Sequence, residues 1–511
     1  MPLVETSLFL WIIIIVWSAY GLCINFNNSL DTNILFIMAF QSLEYLIYLS
    51  VVFILYWTLC RGSKMLQNGL IVAASLVFYG WWDWRFLGLL LITAFSTFFA
   101  GMWMGRTDDE KKRKWINIGA IVLNIGILFF FKYFNFFVQS FADVFSLFGA
   151  EMNVHTLKIL LPVGISFYTF SALSYSIDVY QRKVEPTHDL LAYLAYVTFF
   201  PSILSGPISR AQKQLPQYSQ TRVFDYGKAV SACKLMLWGG VIKLCLADRL
   251  GIYVDAVYAN IAQHNGTTLF LTSVFYTIQI YADFAGYSLM AIGSGHLLGI
   301  ELPTNFIRPY FAKTVTDFWR RWHISLTTWF RDYIYFPLGG NRCRKARWML
   351  NTMIVFTVSG LWHGAAYTFI IWGAMHGACM VIERLVYGEK IKQLSDKFSI
   401  ANLLRLMLTF TIVNFAWVFF RVSDLGDVMT IFRKIFTEPG MPFVDADTMV
   451  YALMFAFLVF VVDFMEEHFS GRVKLMNSRY TIVRWATYIA LVVMVLLFGV
   501  LDGGSFIYFQ F

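Results

Sequence analysis

The sequence predicts an all-α, polytopic integral membrane protein, a helical bundle in which short re-entrant or interfacial helices lie among long spanning ones. Two observations support this fold class. Of the 511 residues, 58% are hydrophobic and only 14% are charged, whereas soluble domains average about 25% charged residues. The apolar residues are also grouped in runs, several of them long enough to cross a membrane. The composition therefore excludes a soluble enzyme, a disordered chain and a fibrous protein.

The apolar runs give the helices in chain order. At about 20 residues for each crossing, half of the chain could provide about ten to thirteen crossings. The first run has no basic residue before it, which favours a membrane helix over a signal peptide. Several later runs are too short to span alone, and this indicates re-entrant or interfacial helices around a buried cavity. The runs are residues 8–24, 43–60, 70–82, 86–104, 116–138, 157–175, 190–204, 229–246, 268–292, 348–361, 366–382, 403–420, 450–464 and 482–501.

Basic residues are concentrated in three segments between the runs, residues 106–114, 305–348 and 472–484. Since loops rich in Lys and Arg stay in the cytoplasm, these segments predict the cytoplasmic face. The last helix then leaves the cytoplasm, so the tail at residues 502–511, which has no Lys or Arg, is predicted to be extracytoplasmic. The net charge of +9 is assigned to orientation and to contact with membrane lipids, and no nucleic-acid partner is expected.

Neither a metal site nor a disulfide framework is expected. The six cysteines form no CxxC pair, and most lie in apolar runs, as buried free thiols do. Histidines and acids are not spaced as metal ligands, and the GxSxG motif of serine hydrolases is missing.

His323 lies in FWRRWHISL, a segment of basic and aromatic residues at positions 318–326. Such a segment is typical of a membrane interface or of the wall of a polar cavity. Two interpretations stay open: the arginines bind lipid phosphates from an interfacial helix, or they form an entrance for the phosphates of a nucleotide-tailed acyl donor. The predicted donor-binding residues are Arg320, Arg321, Arg331, Trp322 and Trp362.

His363 lies in SGLWHGAA, at residues 359–366 of an apolar hairpin. An ionisable side chain inside the membrane is costly in free energy, which by default marks a functional position. Histidine titrates near neutral pH and can act as the general base that removes a proton from a hydroxyl. The alternative is a packed histidine that is hydrogen-bonded to a backbone carbonyl.

Several motifs accompany these two histidines. They are PVGISFY (162–168), FFP (199–201), SGPI (205–208), YADFAGYS (281–288), WFRDYIYFPLGGNR (329–342) and LWHG (361–364). In this order they resemble the membrane-bound O-acyltransferase (MBOAT) family, in particular its branch of alginate O-acetylation proteins and peptidoglycan O-acetyltransferases. His363 matches the essential histidine of the family, and His323 matches its second polar active-site position.

The resemblance implies a fold and a reaction. MBOAT-type helices surround a tunnel through the membrane, in which cytoplasmic acetyl-CoA, the expected acyl donor, meets an acceptor hydroxyl from the other face. His363 is then the base that deprotonates the hydroxyl as it attacks the thioester, and His323 steadies the donor or the oxyanion. The implied function is O-acetylation of an extracellular or cell-wall polysaccharide by a multi-pass protein of the bacterial inner (cytoplasmic) membrane.

The resemblance also predicts how the chain is divided. Residues 38–511 form the MBOAT acyltransferase domain, which ends in the extracytoplasmic tail 502–511. Residues 1–37 precede the usual start of the family and form an extension with an extra transmembrane helix. The alternative is a start at Met38, because MAFQS resembles a typical beginning.

The tail ends in FIYFQF, residues 506–511. One interpretation is an aromatic belt that anchors the last helix. The other is that the tail folds back to the tunnel and Tyr508 accepts the acetyl group, since similar aromatic tails occur in this branch and in companion peptides of teichoic-acid alanylation. A phenolic ester is an activated carrier, because phenoxide leaves more easily than an alkoxide. A separate extracytoplasmic SGNH-type acetyltransferase is the expected partner that moves the group to the polysaccharide.

Two alternative functions remain open. A transporter of a glycan or lipid-linked intermediate predicts ionisable residues at mid-membrane in several helices, often within inverted repeats. No repeat is evident, and the candidate polar residues gather in the second half of the chain. D-alanyl transfer from a carrier protein to teichoic acid uses the same fold with a different donor.

Overall fold

The computed structural model describes residues 38–148, 156–157, 159–388, 399–469, 475–501 and 506–509. Every regular element in these ranges is a helix, which confirms the all-α prediction. The predicted extension at residues 1–37 lies outside the described residues, as do 502–505 and 510–511 of the tail.

The helices are numbered in chain order. The α-helices are α1 (Leu43–Thr58), α2 (Lys64–Asp83), α3 (Leu87–Gly105), α4 (Glu110–Leu147), α5 (Ile165–Tyr180), α6 (Leu190–Thr198), α7 (Phe200–Ile203), α8 (Ala211–Tyr218), α9 (Tyr226–Gly240), α10 (Asp248–Tyr258), α11 (Gly266–Leu297), α12 (Val315–Arg321), α13 (Ile324–Phe330), α14 (Lys345–His363), α15 (Tyr367–Tyr387), α16 (Ile400–Arg421), α17 (Leu425–Thr437), α18 (Ala446–His468) and α19 (Thr481–Phe498). Two π-helical segments, Val241–Ala247 and Arg331–Tyr335, follow α9 and α13. The 3₁₀ turns are Trp84–Phe86, Ile261–Gln263, Pro309–Phe311, Leu475–Asn477 and Ile507–Phe509.

Seven helical segments of the described chain are long and apolar enough to cross a membrane, so the protein is a multi-pass membrane protein. The prediction of about ten to thirteen crossings is for the whole chain, whereas these seven segments leave out the run 8–24 and take α2 and α3 together as Lys64–Gly105. Two apolar runs form the shorter helices α5 and α6, of 16 and 9 residues, and α11 buries many polar side chains among its 32 residues. The seven segments are Lys64–Gly105, Glu110–Ser146, Tyr226–Tyr258, Tyr367–Tyr387, Ile400–Arg421, Ala446–His468 and Thr481–Phe498.

Many helices begin at a side chain that caps the first turn. A short polar side chain just before a helix accepts a hydrogen bond from a backbone N–H that has no partner within the helix. The capping residues are Ser42, Ser63, Asp109, Asp189, Asp225, Asn265, Thr314, Ser399 and Asp424. These caps fix the residues at which the helices begin.

The basic segments 106–114 and 305–348 lie at one end of the bundle, together with the end of α18. Polar contacts connect the start of α4, the end of α5, the segment after α13 and the end of α18. These contacts are Arg182–Glu110 at 2.7 Å, Tyr333–Asp178 at 2.9 Å and Arg308–Glu467 at 2.6 Å. The assignment of this end to the cytoplasm remains a prediction from loop charge.

The core consists of two large hydrophobic clusters and one small one. The first is formed mainly by α1–α9 with part of α11, and the second mainly by α10–α12 and α15–α19 with the first π-helical segment. The small cluster contains Phe170, Trp329 and Trp362, and the rings of Phe170 and Trp329 stack at 3.8 Å. Tyr508 packs against both large clusters, so the end of the chain lies where they meet.

Candidate active site

His363 is the last residue of α14 and is almost completely buried, with 3% of its surface exposed. The turn after it leads directly into α15, which packs closely against α14. A Cβ atom on Gly360 would lie only 2.1 Å from the carbonyl oxygen of Phe369, so glycine is needed for this close approach. The hairpin therefore holds the histidine inside the protein.

Lys132 and Tyr133 of α4 hold the backbone at the end of α14. The last carbonyl groups of a helix have no partner within it, and a cation there is favourable. The Lys132 Nζ donates to the carbonyl oxygens of Trp362 at 2.7 Å and His363 at 3.0 Å, and the Tyr133 hydroxyl donates to that of Leu361 at 3.0 Å. Lys132 is not among the residues predicted from the sequence. A lysine within the apolar run 116–138 could have indicated a functional position.

His323 lies between α12 and α13 and has no exposed surface. Its backbone is left-handed, with φ of +41°, a conformation that costs a non-glycine residue about 1–3 kcal/mol and persists only where neighbours impose it. Asn305 is that neighbour. Its backbone oxygen accepts from Ile324 N at 3.0 Å, and its Oδ1 accepts from Ser325 Oγ at 2.6 Å.

The tail brings Tyr508 to both histidines. The centre of its ring lies 5.5 Å from that of His363 and 6.3 Å from that of His323, and the two imidazole rings are 6.4 Å apart. The Tyr508 hydroxyl is buried and has no hydrogen-bond partner among the described residues. The three predicted catalytic residues therefore lie together, and Phe506 and Ile507 of the tail are buried inside the protein and do not form a surface belt.

Several buried polar atoms in this region have no hydrogen-bond partner among the described residues. They include both ring nitrogens of His323, Nδ1 of His363 and Nε1 of Trp362. Buried polar groups are normally paired, because leaving one unpaired costs free energy. These atoms are therefore available to a substrate. The described residues contain no group of three or more His, Cys, Asp or Glu side chains that could hold a metal ion.

A small cavity of about 70 Å³ is lined by two of the predicted catalytic residues, His363 and Tyr508. Its wall consists of the segment before α5, the start of α5, Lys132 and the end of α14. The lining residues include Lys132, Pro162, Gly164, Trp362, His363 and Tyr508.

A larger cavity of about 310 Å³ opens at the basic end of the bundle. Its lining includes Arg320, Arg331 and Arg384, and none of the described residues in the lining is acidic. One stripe of α14 forms its apolar wall and ends at Ser359, one helical turn before His363. Two cavities with separate linings therefore approach the end of α14, and a continuous tunnel between them stays a prediction.

The predicted donor-binding residues separate into two groups. Arg320 and Arg331 line the larger cavity, and Trp362 lines the smaller one. Arg321 and Trp322 are in neither lining. Arg321 pairs with Asp317 at 3.0 Å and with Glu467 at 2.9 Å, and the Trp322 ring is completely buried in the second cluster.

Arg321 and Trp322 therefore lie outside both cavities, the first held by ion pairs and the second enclosed by the aromatic core, and their role in donor binding stays a prediction. Arg384, at the end of α15, was missed in the sequence. Its guanidinium lies over the Trp348 ring at 4.6 Å, at the mouth of the larger cavity.

Replacement of Lys132 by Met should lower kcat by about 10- to 100-fold without raising KM for the acyl donor. The exchange removes the hydrogen bonds that fix the end of α14, and misplacement of a catalytic group by about 1 Å can cost 100-fold. Steady-state kinetics of the purified protein measures the effect. Lys132→Arg keeps a donor and should recover part of kcat, whereas wild-type kcat in the Met variant would contradict a positioning role.

Comparisons with known proteins agree with this geometry. The model of MBOAT, the membrane-bound O-acyltransferase family, matches residues 76–420, a range that contains both histidines. The chain is 37% identical over 380 residues to "Probable alginate O-acetylase AlgI" of Pseudomonas aeruginosa, which covers 74% of this chain and 71% of that protein. It is 32% identical to "Peptidoglycan O-acetyltransferase" of Helicobacter pylori, covering 71% and 72%.

A more distant relative is "Teichoic acid D-alanyltransferase" of Bacillus subtilis. It is 29% identical over 273 residues, which cover 50% of this chain and 68% of that protein. The family match extends over most of the chain and includes the helices that carry His323, His363 and the larger cavity. This chain is therefore an acyltransferase and belongs to the membrane-bound O-acyltransferase family.

Proposed function

We propose that this protein transfers acetyl groups from cytoplasmic acetyl-CoA across the membrane for O-acetylation of an extracellular or cell-wall polysaccharide. The observation that carries the proposal is the position of His363, between a basic cavity and a smaller cavity that contains Tyr508. The names of the alginate and peptidoglycan relatives support acetyl as the transferred group and a polysaccharide as the final acceptor.

The larger cavity suits the chemistry of acetyl-CoA. Guanidinium groups bind phosphates through paired, charge-assisted hydrogen bonds. The lining supplies those of Arg320, Arg384 and Arg331, the last of which also pairs with Asp332 at 2.7 Å. The wall towards α14 is apolar, with Val355 and Phe356 before Ser359. We expect the long uncharged pantetheine arm to lie along this wall between the arginines and the end of α14, with the thioester directed towards His363.

His363 acts as the general base. It takes the proton from the acceptor hydroxyl as the oxygen attacks the thioester carbonyl carbon. A ring N–H of His323 stabilises the developing oxyanion, because its nitrogens have no other partner among the described residues. The C–S bond then breaks, the ester is formed, and the sulfur of coenzyme A receives the proton from His363.

The first acceptor in this proposal is Tyr508. Its ring centre lies 5.5 Å from that of His363, and its buried hydroxyl has no hydrogen-bond partner among the described residues. The phenolic ester then passes its acetyl group to the polysaccharide through an extracytoplasmic SGNH-type acetyltransferase. Direct attack by a polysaccharide hydroxyl is the alternative order.

Replacement of Arg320 by Gln should raise KM for acetyl-CoA about 10-fold and leave kcat nearly unchanged, because it removes a phosphate contact and not a catalytic group. Arg321→Gln is the matched control, since the neighbouring arginine is paired with carboxylates outside the cavity. Initial rates over a range of acetyl-CoA concentrations measure both variants. An equal KM increase in both would contradict this assignment of the cavity.

Deletion and complementation test the proposed function. Without the protein, surface polysaccharide should lose its O-acetyl groups, as measured by mass spectrometry of the glycans, and the wild-type chain should restore them. Unchanged acetylation together with loss of D-alanine from teichoic acid would instead assign D-alanyl transfer, the activity in the name of the Bacillus subtilis relative.

A further inference from the structure

The YADFAGYS motif of α11 is the surface on which the tail lies. Asp283 Oδ2 accepts a hydrogen bond from the backbone N–H of Ile507 at 2.8 Å. The Tyr287 ring stacks on that of Phe506, with centroids 4.4 Å apart and planes inclined by 22°. Phe284 packs against the Tyr508 ring at 4.5 Å. The motif therefore contacts three consecutive residues of the tail.

Asp283 belongs to a buried ionic trio. The Lys243 Nζ lies 2.5 Å from Asp283 Oδ1 and 2.7 Å from Asp248 Oδ1, and these side chains are 1%, 2% and 7% exposed for Lys243, Asp283 and Asp248. One ammonium group thus faces two carboxyl groups. Because buried carboxylates need further donors, the N–H of Ile507 completes the environment of Asp283.

The local backbone brings this trio together. Lys243 lies in the π-helical segment Val241–Ala247, and such segments often occur at functional sites. A Cβ on Gly286 would lie 2.7 Å from the carbonyl oxygen of Gly239, so glycine allows α9 and α11 to cross at short distance next to the trio. The Leu244 oxygen accepts from Val500 N at 3.0 Å, which holds the chain just after α19.

We infer that Lys243, Asp248 and Asp283 form a clasp that seats the C-terminal tail, with Asp283 as the positioning residue for Tyr508. The hydrogen bond to Ile507 fixes the residue next to Tyr508, and the aromatic contacts set the plane of its ring. The clasp rests on the proposed function only in that Tyr508 is taken as the acetyl acceptor. Its geometry can be tested without any acyl donor.

The test measures the exposure of the tail. In a Tyr508→Cys variant, the rate of modification by a membrane-impermeant maleimide should be low, and Asp283→Ala should raise it by about 10-fold or more. The same Asp variants in a chain that keeps Tyr508 measure the background rate at which the native cysteines react with the maleimide. Asp248→Ala is the matched control, because it also removes one carboxyl group from Lys243, and Asp248 has no hydrogen bond to the described residues of the tail. Equal rates in the two Ala variants would overturn the clasp.

A second pair of variants leaves the buried trio intact. Ile507→Pro removes the donating N–H, and proline fits the first position of a helical turn, whereas Ile507→Ala keeps the N–H. Only the Pro variant should expose the thiol introduced by Tyr508→Cys, and unchanged protection in it would overturn the clasp. If Asp283→Ala and Ile507→Pro expose the tail but acetyl transfer stays at the wild-type rate, the clasp is correct and Tyr508 is not the acceptor.

Discussion

Replacement of His363 by Asn is expected to lower acetyl transfer by about 10²- to 10⁴-fold, the usual contribution of a general base. Asn has nearly the same reach as the imidazole Nδ1 but cannot accept the proton of the acceptor hydroxyl. The acetyl content of surface polysaccharide in cells that contain only this variant measures the effect, with the amount of protein in the membrane determined in parallel.

His376 gives the matched control for this prediction. It is a second buried histidine, 1% exposed, on the adjacent helix α15, and it lines neither cavity. Its Nδ1 accepts from the Trp319 indole at 3.3 Å, which the amide oxygen of Asn can also do. His376→Asn should therefore keep most of the transfer. Full activity of His363→Asn, or equal loss in both variants, would contradict the role of His363 as the base.

Replacement of Tyr508 by Phe is expected to abolish polysaccharide acetylation that passes through the tail. Only the hydroxyl is lost, while the ring keeps its contacts with Phe284 at 4.5 Å and Phe506 at 5.4 Å. The fold and the seating of the tail should therefore be unchanged. Glycan mass spectrometry measures the acetyl groups. Wild-type acetylation in this variant would leave Tyr508 with a packing role and favour direct transfer to the polysaccharide.

The sequence predicts the parts of the site that depend on short motifs. The low charge content and the apolar runs indicate a helical membrane bundle, and the basic segments mark one of its ends. His363 and His323 stand out because each lies in a distinctive aromatic or glycine-containing motif. The two motifs meet in the fold, where the imidazole ring centres lie 6.4 Å apart. No pattern in the sequence predicts that distance.

Other features depend on contacts between residues far apart in the chain. Lys132 acts on α14 from more than 200 residues away, and Asp283 contacts the tail across 224 residues. Arg320 and Arg321 are adjacent in the chain, but successive residues on a helix point in different directions. One therefore reaches the cavity, and the other reaches the carboxylate of Glu467. Composition and spacing predict neither these long-range contacts nor which of the two arginines lines the cavity.

The most direct measurement of the central claim is mass spectrometry of the C-terminal peptide after purified protein has been incubated with acetyl-CoA. An acetyl group should appear on Tyr508 in the wild type and be absent in His363→Asn, while His376→Asn should still acquire it. This result would place the basic cavity, His363 and the tail in one path of transfer. An acetylated tail in His363→Asn, or an unmodified tail in a wild-type protein that consumes acetyl-CoA, would contradict the account.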